Sequence, residues 1–159
     1  MALAGLILGY LGIAIIPIIL IVAAIAIPNL LLAKMRANEA SAIGSVRTLN
    51  VALLAYSTTY GTYPSSLTVL GPGANGEKPS AESAGLIDSV LASGRKSGYV
   101  FDYAPVEKEE NGAMSHGYAI VATPITSGTT GRRHFLTDQT GVIRAEMNRV
   151  ATPKSPPIN

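Results

Sequence analysis

The chain has 159 residues, of which 48% are hydrophobic, and a net charge of only +2. All 12 Lys and Arg and all 10 Asp and Glu lie in residues 34–159, so residues 1–33 carry no charge. This division excludes a simple soluble enzyme. The charges of both signs are interspersed, so they form no basic surface for nucleic acid. The absence of cysteine excludes disulfides and thiolate chemistry. An apolar segment is therefore joined to a polar remainder of ordinary domain size.

The first predicted element is a transmembrane helix over residues 1–33. An uncharged apolar run longer than about 18 residues is typical of a membrane-spanning helix. As continuous helix the run would be about 48 Å long, beyond a hydrocarbon core of about 30 Å, so part of it lies outside the lipid. Pro17 and Pro28 each remove a backbone donor, which predicts a bend near Pro17 and a second break at Ile27.

Small residues and flanking charges bear on the membrane segment. Gly5 and Gly9 form a small-xxx-small pair, which either contacts another helix or belongs to the ordinary composition of a spanning helix. A secretory signal peptide fits less well, because no basic residue precedes the apolar run and the run is too long. Lys34 and Arg36 are the first charges, and counted alone they place the end of the span in the cytoplasm.

The junction after this run carries a family resemblance. The apolar run ends in Ala23-Ala24-Ile25-Ala26-Ile27-Pro28-Asn29-Leu30-Leu31. It is followed by Lys34, Arg36 and an amphipathic stretch over residues 37–57. This pattern resembles the type IV pilins and the major pseudopilins of type II secretion. The resemblance implies a long helix that begins in the bacterial inner membrane, bends at a proline and continues as the spine of a periplasmic head.

One departure from this family concerns its processing site, a glycine followed by Phe-Thr-Leu-Ile-Glu. Counted back from Pro28, the glycine would fall at Leu6 and the glutamate at Leu11, so neither is present. In the family that glutamate pairs with the N-terminal amine of a neighbouring subunit, so its absence bears on filament assembly. Residues 3–12 instead resemble the last helix of a small family of two-span bacterial membrane proteins, which points to a fusion.

The polar remainder begins with a continuation of the spine helix over residues 34–57. Its apolar residues recur with the spacing of one helical face. They are Ile43, Val46, Leu49, Leu53 and Tyr56. An α+β head is expected over residues 58–150, with a loop over residues 71–80 and a short helix over residues 82–93.

Two β-hairpins are predicted after Gly98, where the hydrophobic period changes to two. The strands are expected at residues 99–104, 117–123, 133–138 and 142–146. Residues 107–112 and 139–141 form the two connecting loops. The predicted fold class is α+β, a long N-terminal transmembrane and spine helix packed on a small antiparallel sheet, as in a pilin. Residues 151–159, with three prolines, are expected to form a disordered tail.

No catalytic, cofactor-binding or metal site is expected. Residues 71–76 match the G-x-G-x-x-G fingerprint, but they lack the preceding strand and following helix that dinucleotide binding requires. His116 and His134 are the only histidines, and no third zinc ligand accompanies them. No serine lies in a G-x-S-x-G elbow, so an enzyme is not expected.

Several charged residues have two interpretations. Asp102, Asp138 and Glu146 are candidate calcium ligands, because pseudopilins often hold calcium in a C-terminal loop, but a sequence without a dense Asp/Asn cluster favours solvated surface groups. Arg36 and Glu39 either form contacts between subunits along a filament or anchor the chain at the membrane surface. In the second case Arg36 lies among lipid headgroups and Glu39 is solvated.

These patterns favour a membrane-anchored structural subunit of a type IV pilus or type II secretion pseudopilus. Its partners would be membrane lipid, other pilin or pseudopilin subunits and inner-membrane assembly proteins, with no nucleic acid and no cofactor. The chain would cross the bacterial inner membrane once and place its head in the periplasm. This orientation follows from the resemblance and is preferred to the opposite one that Lys34 and Arg36 indicate, because two charges are a weak topological signal. The alternative is a membrane-anchored pilin-like module that does not polymerise. A third hypothesis, an anchored periplasmic hydrolase, is supported only by scattered Ser and His.

Overall fold

The structure is a computed structural model that describes residues 2–73, 78–110 and 113–158. The chain divides into two compact units, Met1–Lys34 and Met35–Asn159. The longest element, helix α1 (Ala2–Tyr60), contributes residues to both units.

The first unit is an apolar helical segment. Helix α1 continues through Pro17 and Pro28, and the break expected at Ile27 does not interrupt it. Each proline removes one main-chain hydrogen bond, and the remaining bonds keep the helix continuous. The side chains of Ile18, Ile25 and their large apolar neighbours are exposed. By length and composition, α1 is the one helix in the described residues that is long and apolar enough to cross a membrane.

In the second unit, α1 presents one face to the core, as its spacing predicts. Val46, Leu49 and Leu53 are fully buried, whereas Ile43 lies at the rim of the core and is only partly buried. The helix extends three residues beyond the predicted end at residue 57. It stops at Gly61, whose positive φ of 79° suits a residue that follows a helix C-terminus.

Within the described residues, the sheet has five antiparallel strands in sequential order, one more than predicted. The strands are β1 (Arg95–Lys96), β2 (Tyr99–Glu110), β3 (Ala113–Pro124), β4 (Arg133–Asp138) and β5 (Arg144–Met147). Strand β2 continues through Pro105, where the sequence predicts its end. Because β1 pairs only with Tyr99 and Val100, the rest of β2 is an edge strand, where a missing N–H group is tolerated. Residues 107–110 of the predicted loop over residues 107–112 thus belong to strand β2, and residues 111 and 112 lie outside the described residues.

Two short helices, α2 (Leu67–Leu70) and α3 (Ser89–Ala92), lie between α1 and the sheet in the chain. The helix expected over residues 82–93 forms only as α3, because the preceding residues bond elsewhere. The amides of Ala84 and Leu86 donate to the carbonyls of Val69 and Leu70, at 2.8 Å each. Helix α3 then begins after Asp88, whose carboxylate accepts a hydrogen bond from the Leu91 amide at 2.9 Å.

The core lies between the buried face of α1 and one face of the sheet. Tyr99, Ile120 and Phe135 are buried on the sheet and belong to one cluster with Leu49 and Leu53 of the helix. Burying a side chain of this size contributes roughly 1.5–3 kcal/mol. A helix stripe and a sheet face that cover each other make the α+β layout of this unit.

The C-terminal residues differ from the expected disordered tail, because residues 151–158 lie along β5. Ala151 and Ser155 are buried, and the amide of Ala145 donates to the carbonyl of Pro156 at 3.0 Å. The amide of Ile158 donates to the carbonyl of Ile143 at 2.9 Å. Proline is confined to sheet edges, which is where these residues lie.

Candidate functional site

Glu39 connects helix α1 to the beginning of β4. Its carboxylate Oε1 accepts hydrogen bonds from the backbone amides of Arg132 at 2.8 Å and Arg133 at 3.2 Å. Asn38, the preceding residue, donates from Nδ2 to the carbonyl of Thr130 at 2.9 Å. Charge-assisted bonds of this kind are stronger than neutral ones. Glu39 is therefore bonded within its own unit, and its predicted role between subunits or at the membrane surface stays a prediction.

Two glycines allow the close packing around this connection. A side chain at Gly131 would overlap the Tyr99 ring, and one at Gly98 would lie 3.0 Å from Thr130. The Tyr99 hydroxyl donates to the Arg133 carbonyl at 2.8 Å, and burial raises the pKa of Tyr99 far above its ordinary value. Sequence patterns do not predict this connection, although Gly131 is one signal of a close approach between chain segments.

The other predicted assembly residues all lie on helix α1. Arg36 is exposed in the second unit. Pro17 and Pro28 lie inside the helix. Gly5 and Gly9 lie inside it as well, in a stretch where the structure describes the backbone and not the side chains. The contact predicted at the glycine pair therefore stays a prediction.

The second unit also exposes apolar side chains on the helix face that does not pack on the sheet. Val51 and Leu54 of α1 are 70% and 60% exposed, and Leu86, which lines the same groove as Val51, is a third exposed apolar side chain. We call these three residues the apolar patch. A groove of about 370 Å³ is lined by Arg47, Thr48, Val51, Ala52, Ala55 and Leu86. Exposed apolar surface beside a groove is typical of an interaction site.

A polar network lies next to this patch, between α1 and the sheet. Asn50 accepts a hydrogen bond at Oδ1 from the Tyr118 hydroxyl at 3.1 Å and donates from Nδ2 to Thr137 Oγ1 at 3.0 Å. Thr137 is fully buried, and burial raises the pKa of Tyr118 to about 12. Because each of these groups has a partner, the network orients the helix on the sheet without leaving a buried polar group unpaired.

The two histidines lie on different strands and have different surroundings. His116 of β3 is exposed, with Nδ1 at 3.9 Å from Oε1 of Glu107. His134 of β4 has a buried Nδ1 that meets no hydrogen-bond partner among the described residues, and burial lowers the pKa of this side chain. In the described part of the chain, no three His, Cys, Asp or Glu side chains come close enough to hold a metal ion.

The calcium candidates and the glycine-rich loop have local structural roles where they are described. Asp138 accepts a hydrogen bond from the Thr140 amide at 2.9 Å in the turn after β4. Glu146 accepts one from Ser155 Oγ at 2.8 Å, and Asp102 is an exposed residue of β2. Gly71 packs against α3, and the last three residues of the G-x-G-x-x-G match lie outside the described residues.

The chain matches no protein-family model, and no curated protein or solved structure matches it. Its function therefore has to be argued from its own residues.

Proposed function

We propose that the chain is a membrane-anchored structural subunit of the pilin type, from a type IV pilus or a type II secretion pseudopilus. The observation that carries this proposal is that helix α1 contains both an uncharged apolar segment and the core helix of a small α+β unit. The junction around Pro28 and its resemblance to the pilins also support it. Residues 2–33 then cross the bacterial inner membrane once, and the second unit is the periplasmic head.

A role in assembly is supported by how the polar groups of the head are used. Carboxylates such as those of Glu39 and Glu146 are able to act as acids or bases in catalysis. In this head, both accept hydrogen bonds that hold backbone segments in place. The apolar patch, in contrast, is exposed. Burying one such side chain contributes roughly 1.5–3 kcal/mol, so the patch favours contact with another apolar surface.

The occupant that we propose for the apolar patch is a second copy of this chain. Membrane anchors hold copies in one plane with one orientation, which lowers the entropic cost of association between their heads. Other pilin or pseudopilin subunits and inner-membrane assembly proteins are the further partners that the resemblance implies.

The alternative is a membrane-anchored pilin-like module that does not polymerise. The observation that favours it is the presence of Leu6 and Leu11 where the pilins carry the processing glycine and the assembly glutamate. This module would share the anchor and the orientation of the head with a true subunit. It would differ in having no contact between copies.

The anchor and its orientation can be tested with one thiol, because the chain has no cysteine. Ser65→Cys places that thiol at an exposed position of the head. A membrane-impermeant maleimide should label it in spheroplasts as fully as after lysis, and the chain should resist carbonate extraction. Ile18→Arg with Ile25→Arg should release it to the carbonate supernatant, because charge in the hydrocarbon core is costly. Labelling only after lysis, or release of the unsubstituted chain by carbonate, would contradict the proposal.

A further inference from the structure

Residues 151–158, here called the strap, pair with the outer edge of β5. Two main-chain hydrogen bonds join them to β5 and its preceding residue, from the Ala145 amide to Pro156 and from the Ile158 amide to Ile143. Arg144 and Pro157 form an antiparallel bridge between these two bonds. The strap is therefore a short additional strand at the end of the sheet.

Side chains of β5 hold the turn that leads into this strand. Ser155, which is 3% exposed, donates from Oγ to Oε2 of Glu146 at 2.8 Å and accepts the Thr152 amide at 3.0 Å. Nη1 of Arg144 donates to the Ser155 carbonyl at 3.0 Å. Two residues of opposite charge on β5 thus bind one serine, and we call this arrangement the Ser155 clasp.

The strap fills an edge that would otherwise be open to other strands. Strand β5 is last in the sheet order, so its outer amides and carbonyls have no partner among the other named strands. Open edges of this kind template pairing with another chain. Pro156 and Pro157 lack amide hydrogens, so the strap itself offers few donors to a further strand. The sheet therefore ends at the strap.

We propose that the outer edge of β5 is a strand-docking site, filled here by the chain's own strap and open to the strap of a second copy when its own is displaced. The occupant follows from the contacts, because the strap is the segment that forms the main-chain bonds and the clasp. Every copy carries the same segment, so exchange between two copies reproduces each bond without a new surface. The inference rests on the second unit alone and does not depend on the proposed function.

The test supplies the strap as a separate peptide. A full-length chain in detergent is compared with a variant that ends at Val150, and a fluorescent peptide of residues 151–159 is added to each. The peptide should bind the truncated variant at least tenfold more tightly than the full-length chain. It should also lower the self-association of the truncated variant to the level of the full-length chain, measured by light scattering. A Ser155→Ala peptide should bind about tenfold more weakly, because the clasp is lost.

Several outcomes would overturn the proposal. The first is that the peptide does not bind a truncated variant whose circular dichroism shows a fold. The second is that it binds the full-length chain and the truncated variant equally well. The third is that the Ser155→Ala peptide binds as tightly as the unsubstituted one. If the truncated variant does not fold, full-length Ser155→Ala is examined by hydrogen exchange. The Ala145 amide should then exchange about tenfold faster while the Ala122 amide in β3 is unchanged. An unchanged rate at Ala145 would overturn the docking site by this second route.

Discussion

The carboxylate of Glu39 lies 2.8 Å from the backbone nitrogen of Arg132, 93 residues away in the chain. This contact, with the second bond to Arg133, joins the first turns of the head helix to the first residue of β4. Helix packing by apolar side chains alone tolerates sliding along the helix axis. A directional bond at one end, and the Asn50 network further along, define the position of α1 on the sheet.

Replacing Glu39 should therefore destabilise the head. Glu39→Ala leaves two amides without their acceptor, and we expect a loss of about 1–3 kcal/mol in the free energy of unfolding. Glu39→Gln keeps an acceptor oxygen and should lose less. Denaturant unfolding in detergent measures both, with the exposed Arg36→Ala as the control. Equal stability of Glu39→Ala and Arg36→Ala would show that the contact contributes nothing.

Gly131 should not tolerate a side chain. A Cβ at this position would overlap the Tyr99 ring, so Gly131→Ala should cost about 1–3 kcal/mol through displacement of a buried aromatic group. Gly44→Ala is the matched control, because Gly44 lies inside helix α1 with open space around it. That substitution should be neutral or raise stability by up to about 1 kcal/mol. Thermal unfolding of both variants checks the pair, and similar melting temperatures would refute the packing argument.

His134 should make the head less stable at mildly acidic pH. Burial lowers its pKa below the ordinary value of 6.5, so the unfolded chain takes up a proton at a higher pH than the folded chain. The free energy of unfolding should then fall as the pH decreases from 6.5 towards the folded-state pKa. His134→Gln should flatten the profile in this window, and an unchanged profile in that variant would contradict this assignment. The measurement is denaturant unfolding between pH 8 and pH 5.

Glu146 should give a separate loss of stability at lower pH. Hydrogen bonds from Ser155 and Arg149 lower the pKa of this carboxyl below its ordinary value of 4.5. Its contribution is present above that value and disappears as the pH falls through the folded-state pKa. Asp88, whose pKa is lowered by Lys96 and by the Leu91 amide, titrates in the same direction. Glu146→Gln should reduce the slope of stability against pH below about 4.5. An unchanged slope would show that Glu146 does not contribute to the pH dependence of stability.

Periodicity accounts for the parts of the fold that local patterns determine. The face of α1 with Leu49 and Leu53, and strand β4 at Arg133–Asp138, follow directly from the spacing of apolar residues. The continuation of β2 through Pro105 could not be predicted in this way. It depends on which edge of β2 is left open by the short strand β1, and this is a property of the assembled sheet.

The contacts that position the candidate site could not be predicted for the same reason. The sequence shows Glu39 as a charged residue on the first turns of the head helix. Its hydrogen-bond partners, however, are backbone amides more than 90 residues away in the chain, which no local pattern indicates. The three prolines of residues 151–159 predict a disordered tail, whereas the strap is ordered. Its order comes from pairing with the β5 edge and from Ser155, whose partner Glu146 the sequence presents as a solvated surface group or a calcium ligand. Non-local hydrogen bonds leave no periodic signal in the sequence.

Copies of this chain should assemble through their heads in a membrane, and thiol crosslinking between heads is a direct test of this assembly. Val51→Cys places a single thiol in the apolar patch, and Ser65→Cys places one at an exposed position outside it. After oxidation of native membranes, we expect disulfide-linked dimers for Val51→Cys at several times the yield for Ser65→Cys. Equal yields from the two variants, or no dimers from Val51→Cys, would contradict assembly and favour the anchored module that does not polymerise.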